Sequence, residues 1–281
     1  MDFKNICVIG LGLIGGSLAK AFAANGYSIF GYDSKLDTVK LAKSEKIFYH
    51  LNNELDSNIS SCDLVFVCVN IENTLDVFTK LVPYLKNGCV VSDVASVKSH
   101  FFNKVVNQVP DGVNFVSTHP MAGTQYCGYE NSFKEIFIDR PLLIIKSDEK
   151  KALIDNLANF LKINLKVNIQ LVGIDEHDSL VSLTSHLPMF VAVSLSNTVK
   201  KYDQTFPYLN LVAGPGFKDT SRLALQDPNF THSIFRFNKK ELLKAVDSYI
   251  DTLSSLRESL RGDDESFKKE IINAKEFRGR F

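Results

Sequence analysis

The sequence predicts an α/β fold with a mainly parallel sheet over residues 1–173, followed by an all-α domain over residues 174–281. Two observations lead to this prediction. Up to about residue 173, short apolar runs alternate with stretches of helical periodicity, which is typical of strands joined by right-handed helical crossovers. Beyond that point, long stretches keep the helical spacing and no pair of strand-like runs follows.

Apolar runs predict the strands of the first domain, in the order "NICVIG", "SIFGYD", "CDLVFVCVN", "GCVVSDV", "NFVSTH", "PLLIIK" and "KVNIQLVG". The run "CDLVFVCVN" is almost continuously apolar, as expected of a central parallel strand that is covered on both faces. Helical spacing predicts the intervening helices, which are "GGSLAKAFAANG", "SKLDTVKLAKSEK", "TLDVFTKLVPYL", "HFFNKVVNQV" and "EKKALIDNLANFLKINL". The first of these helices has Gly26 at the position where helices often end.

Two long helices are predicted in the second domain. The stretch "DEHDSLVSLTSHLPMFVAVSLSNTVKKY" should bend near Pro188, because proline has no N–H and its ring clashes with the preceding turn. The stretch "KKELLKAVDSYIDTLSSLRESLRG" should end at Gly262. Its apolar stripe consists of Leu242, Val246, Ile250, Leu253, Leu256 and Leu260.

Composition excludes several classes of function. Lys plus Arg and Asp plus Glu both number 32, so the chain has no global positive field that would attract nucleic acid or an anionic membrane. We find no apolar run of transmembrane length, and the N-terminus begins a strand and not a signal peptide. The five cysteines form no CxxC pair and no zinc spacing, which predicts buried reduced thiols in a cytoplasmic protein without a metal site.

The turn "VIGLGLIGGS" has the G-x-G-x-x-G spacing of a Rossmann-type dinucleotide site. Gly10 permits the tight turn, Gly12 lets the backbone approach a pyrophosphate, and Gly15 lets the helix pack closely on the strand. A strand precedes this turn and a helix follows it, which makes a cofactor site more specific than the glycines alone. The residues predicted to contact the cofactor are Gly10, Gly12, Leu13, Ile14, Gly15 and Asp33.

Asp33 ends the second predicted strand, 33 − 15 = 18 residues beyond the last glycine of the turn. A carboxylate at this position can accept hydrogen bonds from the adenosine ribose and repel a 2′-phosphate, so NAD is favoured over NADP. Lys35 tempers this preference, because a cation can tolerate the extra phosphate. The alternative to a cofactor site is a glycine-rich turn followed by an exposed aspartate.

His119 lies in "STHPMAGT", just past the predicted strand "NFVS". It could be a metal ligand, a catalytic base or a packed core residue. Ser92, Asp93 and Ser96 follow the strand "GCVV", and ligands of open α/β sheets gather outside the carboxyl ends of the strands. Since oxidation of an alcohol needs a group that accepts the hydroxyl proton, a neutral histidine beside a nicotinamide favours the base.

The helical domain offers further polar candidates. Arg222, in "AGPGFKDTSRLALQDP", could bind a substrate carboxylate through two hydrogen bonds or be a solvated surface charge. His177 and Asp178 begin the first long helix, where capping or an ion pair is the alternative to function. The remaining histidines without a supporting pattern are interpreted as structural, and these are His50, His100 and His232.

Five blocks of sequence together resemble the prephenate/arogenate (cyclohexadienyl) dehydrogenase family of tyrosine biosynthesis. They are "GLGLIGGSLA", "DVASVK", "THPMAGT", "DEHDSLVSLTSHLP" and "GPGFKDTSRLALQDP", in the order and spacing of the family. The resemblance implies NAD-dependent oxidative decarboxylation of prephenate to 4-hydroxyphenylpyruvate, or of arogenate to tyrosine. It also implies a homodimer, since relatives dimerise through the helical domain. The chain is expected to lack the fused chorismate mutase and the regulatory ACT domain of some relatives.

The resemblance assigns roles to individual side chains. His119 matches the catalytic histidine that accepts a hydrogen bond from the ring hydroxyl, and Ser96 matches the serine that bridges histidine, hydroxyl and cofactor. Arg222 matches the arginine that binds a substrate carboxylate. Ser185 and Thr124 match residues that line the substrate pocket. Asp178 matches an aspartate in a polar network near the mouth of the pocket.

Two positions depart from the family pattern. Met189 stands where prephenate-preferring relatives often have a second histidine, so arogenate is an alternative substrate and Met189 is a candidate specificity residue. Gln125 stands where a glutamate is common, which can alter inhibition by tyrosine. The rival functions are another two-domain hydroxyacid dehydrogenase, which would need a lysine in the second domain, and a non-enzymatic dinucleotide sensor.

Overall fold

Six parallel strands form the sheet that organises the first domain. They are β1 (Asn5–Ile9), β2 (Ser28–Tyr32), β3 (Phe48–Asn52), β4 (Leu64–Val67), β5 (Val90–Asp93) and β6 (Asn114–Phe115). The strand order is β3-β2-β1-β4-β5-β6, so the chain changes direction across the sheet between β1 and β4. Ligands of open α/β sheets bind at such a switch point. The structure is a computed structural model that describes residues 3–262 and 264–281.

Helices cover both faces of this sheet. They are α1 (Leu13–Ala24), α2 (Leu36–Lys43), α3 (Ile71–Leu81), α4 (Phe102–Val106) and α5 (Lys151–Leu165). Successive side chains of a strand point to opposite faces. Ile6 of β1 therefore packs in a core with α1 and α5, whereas Cys7 packs in the core with α3 and α4. The continuous apolar runs of the central strands follow from this burial on both faces.

A second sheet holds the remaining three strands of the first domain, β7 (Thr118–Pro120), β8 (Pro141–Ile145) and β9 (Asn168–Val172). β8 pairs antiparallel with β7 and parallel with β9. The prediction of one strand over "NFVSTH" is wrong, because the chain changes partners in the middle of this segment. Val116 N donates to Val91 O of the first sheet, whereas Ser117 O accepts from Ile145 N of β8. His119 therefore lies within β7 and not past the end of a strand.

The rest of the described chain is helical. Its helices are α6 (Ile174–Val181), α7 (Leu187–Lys200), α8 (Leu209–Val212), α9 (Pro215–Ser221), α10 (Pro228–Phe237), α11 (Lys239–Arg261) and α12 (Asp264–Arg278). A π-helical turn over Ser182–His186 joins α6 to α7, next to Pro188. The wider turn lets a helix accommodate the proline, so the predicted irregularity near this residue is confirmed.

The apolar stripe of α11 is only partly covered. Leu242 and Val246 are buried, but Ile250, Leu253 and Leu260 are 51%, 47% and 67% exposed. The end of this helix at Gly262 agrees with the prediction. Exposed aliphatic side chains in such a row are typical of a surface that contacts another protein chain.

Two predictions about apolar and sulfur-containing side chains need correction. The helical stretch Ile174–Lys200 is 27 residues long and apolar enough to cross a membrane by length and composition. The prediction of no such run is therefore wrong, although one helix of this kind is weak evidence for a membrane span because core helices pass the same test. The prediction of buried thiols is wrong for Cys127, which is exposed.

Candidate active site

The glycine-rich turn after β1 has the shape required for an anion site. Gly10 has φ +91°, and a Cβ there would lie 2.6 Å from the carbonyl oxygen of Cys68, the residue that follows β4. A Cβ on Gly15 would lie 1.9 Å from Gly10 O, so helix and turn touch through backbone atoms. By contrast, a Cβ on Gly12 would meet no atom within 4 Å. The turn is thus closed towards the protein and open in front of Gly12.

The first N–H groups of α1 face the same open space. Gly12 caps this helix without a side-chain hydrogen bond. The first amide of the helix with a partner inside it is Gly16 N, which donates to Gly12 O. The preceding amides of Leu13 and Ile14 are therefore free to donate, at the positive end of the helix dipole. Because space, donors and dipole coincide, the residues fit a pyrophosphate.

Asp33 fastens the turn to the end of β2. Its Oδ2 accepts from Leu11 N at 2.8 Å, and its Oδ1 accepts from Lys35 N at 2.9 Å. A carboxylate has about four lone-pair sites, so two such bonds leave acceptor capacity for a ribose. Asp33 is half-buried at the rim of the sheet, while Lys35 is exposed beside it.

A chain of hydrogen bonds connects His119 with the start of the helical domain. His119 Nδ1 lies 3.0 Å from His177 Nε2, and His177 Nδ1 lies 2.8 Å from Asp178 Oδ1. Asp178 in turn accepts from two backbone amides of the loop after β5, Lys98 N and Ser99 N, both at 2.9 Å. These hydrogen bonds therefore connect β7, α6 and the rim of the first sheet.

Burial sets the charges along this chain. It lowers the pKa of His119 well below its usual range, and neighbouring His177 and Lys98 lower it further. Burial also lowers the pKa of His177, although the hydrogen bond with Asp178 opposes the change. Burial raises the pKa of Asp178, but hydrogen bonds from His177, Ser99 and Lys98 hold it well below its usual value. Two neutral imidazoles and an ionised carboxylate follow, so His119 is a hydrogen-bond acceptor near neutral pH.

Lys98 is a fully buried cation next to these hydrogen-bonded residues. Its ammonium forms an ion pair with Asp93 at the end of β5 and donates to Thr118 O at 2.6 Å. Thr118 Oγ1 donates to Asp93 O at 2.7 Å. Burial lowers the pKa of Lys98, and the attraction of Asp93 opposes this. Lys98 therefore holds the residue before His119 against the rim of the parallel sheet.

The other sequence-predicted residues lie in diverse surroundings. Ser96 is half-buried in the loop after β5, and its hydroxyl has no hydrogen-bond partner in the described part of the chain. Thr124 is half-buried and accepts from Tyr126 N at 3.1 Å. Ser185 is half-buried in the π-helical turn. Arg222 is exposed at the start of a short 3₁₀ turn and has no ion-pair partner among residues 3–262 and 264–281.

Two of the predicted substrate-binding residues are buried. Met189 is 3% exposed and lies in an apolar cluster with Ile234. Asp178 is 5% exposed and lies behind His177. Asp178 lies in a polar network as expected, and its position near the mouth of a pocket stays a prediction.

His177 and Lys98 both belong to the site, although the sequence predicts for His177 either a function or a capping or ion-pair role, and no role for Lys98. His177 stands at the start of a predicted helix, where the functional and the ion-pair interpretations both remain open, and Lys98 is the last residue of the block "DVASVK". The sequence indicates only that the blocks "DVASVK", "THPMAGT" and "DEHDSLVSLTSHLP" meet at the carboxyl edge of the parallel sheet. It does not specify which of their side chains face inward.

Known proteins resemble the chain over almost its whole length. The family model of the prephenate dehydrogenase nucleotide-binding domain matches residues 18–170, and that of the prephenate dehydrogenase dimerization domain matches residues 174–272. Cyclohexadienyl dehydrogenase of Zymomonas mobilis is 29% identical over 267 residues, covering 93% of this chain and 90% of that protein. Prephenate dehydrogenase of Bacillus subtilis is 27% identical over 279 residues, covering 97% of this chain and 75% of that protein.

Solved structures agree in fold and extent. Prephenate dehydrogenase from A. aeolicus, in complex with hydroxyphenyl propionate and NAD+, superposes with a TM-score of 0.88 at 25% identity, covering 100% of this chain and 99% of that one. Synechocystis arogenate dehydrogenase superposes with a TM-score of 0.83 at 26% identity, covering 98% and 99%.

Proposed function

This chain belongs to the prephenate dehydrogenase family, and from that premise we propose that it oxidatively decarboxylates prephenate to 4-hydroxyphenylpyruvate with NAD. The observation that carries the proposal is the buried neutral His119, which lies next to the carboxyl rim of a sheet that begins with a dinucleotide turn. A cyclohexadienol needs such an acceptor for its ring hydroxyl during oxidation.

The residues of the turn would hold the cofactor. Gly12 leaves the space for its pyrophosphate, the amides of Leu13 and Ile14 donate to the phosphates, and Asp33 accepts from the ribose. Bound NAD supplies the hydride acceptor. The carboxylate of Asp33 would repel a 2′-phosphate, which supports NAD over NADP.

His119 would accept a hydrogen bond from the C4 hydroxyl of the substrate and polarise it. As hydride leaves C4, the ring carboxylate departs as carbon dioxide, and its electron pair completes the aromatic ring of the product. Arg222, exposed and without an ion-pair partner among the described residues, would bind a substrate carboxylate. Ser96 would donate its unpartnered hydroxyl at the same rim. Ser185 and Thr124 would line the pocket.

Arogenate is the second candidate substrate, and Met189 is the observation that favours it. Methionine offers no hydrogen-bond donor to the keto acid side chain of prephenate, and here it is buried among apolar residues. Arogenate carries an amine in place of that keto group. The two substrates can therefore be distinguished by Met189→His, which would improve kcat/KM for prephenate relative to arogenate if Met189 sets the preference.

We further propose a cytoplasmic homodimer formed through the helical domain. The match to a dimerization domain and the exposed aliphatic row on α11 support this assembly. Tyrosine is the inhibitor we propose, because its carboxylate can bind the same arginine as the substrate. Light scattering of the purified protein and kinetics with added tyrosine test these two proposals.

The experiment that tests the function follows the absorbance of reduced nicotinamide with NAD and three substrates: prephenate, arogenate and a simple hydroxyacid. We expect NADH to form with prephenate, arogenate or both, together with one carbon dioxide per NADH. NADH formation with the hydroxyacid alone would contradict the proposal and support the rival dehydrogenase. NAD binding without turnover of any substrate would support a dinucleotide sensor.

A further inference from the structure

We propose that His177 is a positioning residue: held by Asp178, it fixes the tautomer of His119 so that Nε2 of His119 carries the lone pair used in the reaction. The proposal deepens the proposed function and rests on it, because His119 needs an available lone pair only if it accepts from a substrate hydroxyl. His177 is fully buried, so it acts through His119 and not on the substrate.

The position of each proton follows from the hydrogen bonds, starting at Asp178. An ionised carboxylate has no proton to donate, so the 2.8 Å contact with His177 requires the hydrogen on His177 Nδ1. A neutral histidine with hydrogen on Nδ1 presents Nε2 as an acceptor. The 3.0 Å contact between the two histidines then requires the hydrogen on His119 Nδ1. The lone pair of His119 is thereby left on Nε2, the ring nitrogen that faces away from His177.

The opposite arrangement would place lone pairs against each other. If His119 carried its hydrogen on Nε2, then His177 would have to donate from Nε2 to His119. A neutral His177 would then turn an unprotonated Nδ1 towards the Asp178 carboxylate. Two acceptors 2.8 Å apart at a buried position are strongly unfavourable, because neither finds a donor in the other.

Asp178 is held in place by further hydrogen bonds, so its carboxylate cannot rotate away from the Nδ1–H of His177. Both of its carboxylate oxygens accept from backbone amides, Lys98 N and Ser99 N. Its carbonyl accepts from Asn238 Nδ2 at 2.8 Å. The partners come from the loop after β5 and from the end of α10, which lie in different parts of the fold.

The charged and titratable groups around His119 support the neutral form. Lys98 approaches it from the loop after β5, His177 and Asp178 from α6, and His186 from the π-helical turn. Lys98 and the two histidines oppose a positive charge on His119, and only Asp178 favours one. A second proton on His119 would remove the lone pair, so kcat/KM should fall once His119 becomes protonated. The pH of this fall therefore reports how strongly the surrounding groups oppose the charged form of His119.

The test compares two replacements of His177. His177→Leu keeps much of the volume but removes the acceptor for His119 Nδ1–H. His177→Gln keeps an oxygen that can accept this hydrogen. We expect His177→Leu to lower kcat by about a hundredfold or more, as for loss of a correctly oriented base, and to move the acid limb of kcat/KM to higher pH. We expect His177→Gln to recover most of the loss, and both variants to retain NAD affinity.

Nitrogen NMR of the histidine rings provides a readout that a merely structural role would not change. With ¹⁵N-labelled histidine, and with His119→Asn to assign the signals, wild-type His119 should show a protonated Nδ1 and an unprotonated Nε2. His177→Leu should convert His119 to the other tautomer or to a mixture. Ser179→Ala is the matched control on α6, since it removes a hydrogen bond to Glu241 on another side of the helix and should change neither readout.

Several results would overturn the proposal. They are a wild-type His119 with its proton on Nε2, a kcat of His177→Leu within about twofold of wild type, or equal losses in the leucine and glutamine variants. The first result needs no variant, so it decides the matter even if His177→Leu does not fold. It also needs no substrate. If the wild type turned over neither prephenate nor arogenate, the proposed function would fail while the tautomer remained measurable.

Discussion

Replacing Lys98 by methionine would show how much the site depends on one buried cation. Lys98 is 0% exposed, and its ammonium contacts Asp93 and the carbonyl of Thr118. Methionine retains an unbranched apolar stem of similar length, so the change removes the charge and its hydrogen bonds without leaving a large cavity. Any loss of stability then reports the ion pair and the hydrogen bond to Thr118 and not packing.

The expected loss of unfolding free energy follows from the contacts that Asp93 keeps once Lys98 is replaced. Asp93 is 1% exposed, and without Lys98 its carboxylate keeps Ala95 N as its hydrogen-bond donor in the described chain. Removing one partner of a buried ion pair leaves an uncompensated charge and costs about 3–5 kcal/mol of unfolding free energy. A domain stability of roughly 5–15 kcal/mol leaves the variant folded but weakened. At about 2–4 °C per kcal/mol, the melting temperature should fall by roughly 6–20 °C.

The assay is chemical denaturation of the wild type, Lys98→Met, Asp93→Asn and the double variant. Because Asp93→Asn removes the charge that Lys98 compensates, the double variant should lose less than the sum of the single losses, by about 0.5–3 kcal/mol. A loss below about 1 kcal/mol for Lys98→Met, or strict additivity of the two changes, would refute the argument that this pair is held by mutual compensation.

Three further predictions concern carboxylate binding, pH and the cofactor turn. Arg222→Gln should raise KM for the substrate by about 10- to 150-fold, since a hydrogen bond to a charged group contributes about 1.5–3 kcal/mol, and an unchanged KM would exclude the carboxylate contact. Burial lowers the pKa of His186 to about 4. The unfolded chain, with a histidine pKa of about 6.5, takes up this proton first as pH falls, so His186 alone should reduce stability by about 2 kcal/mol between pH 7 and pH 5. His186→Gln should lack this part of the pH dependence, and identical pH profiles in denaturation would contradict the assignment. Gly12→Ala should weaken NAD binding about tenfold or more in titrations. It should leave the melting temperature unchanged, because the new Cβ meets only open space, whereas Gly15→Ala should lower the melting temperature. A Gly12→Ala variant with normal NAD affinity would contradict the pyrophosphate site.

The parallel sheet and its cofactor turn could be predicted because their signals are local. Continuous apolar runs mark β1, β4 and β5, and the glycine spacing fixes the turn without knowledge of distant residues. β3 was missed, since "FYHLN" is only partly apolar and its residues are mostly half-buried at the edge of the sheet. The break between β6 and β7 was missed because it depends on hydrogen bonds to two different sheets, which a single apolar run does not reveal.

The site was predicted in outline but not in its internal connections. His119 was identified from its block and its place on the rim. Its partner His177 lies 58 residues further along the chain, so their contact depends on how α6 docks on the loop after β5. For the same reason, the sequence does not show that two amides of the distant loop after β5 donate to the Asp178 carboxylate.

The measurement that tests the central claim most directly is the kinetics of His119→Asn. Asparagine can still donate to His177 but offers no imidazole nitrogen to the substrate hydroxyl. With NAD and the preferred cyclohexadienyl substrate, kcat should fall by about two to four orders of magnitude while the dissociation constant for NAD stays unchanged. If the variant kept near-full turnover, His119 would not be the acceptor on which this account of the enzyme rests.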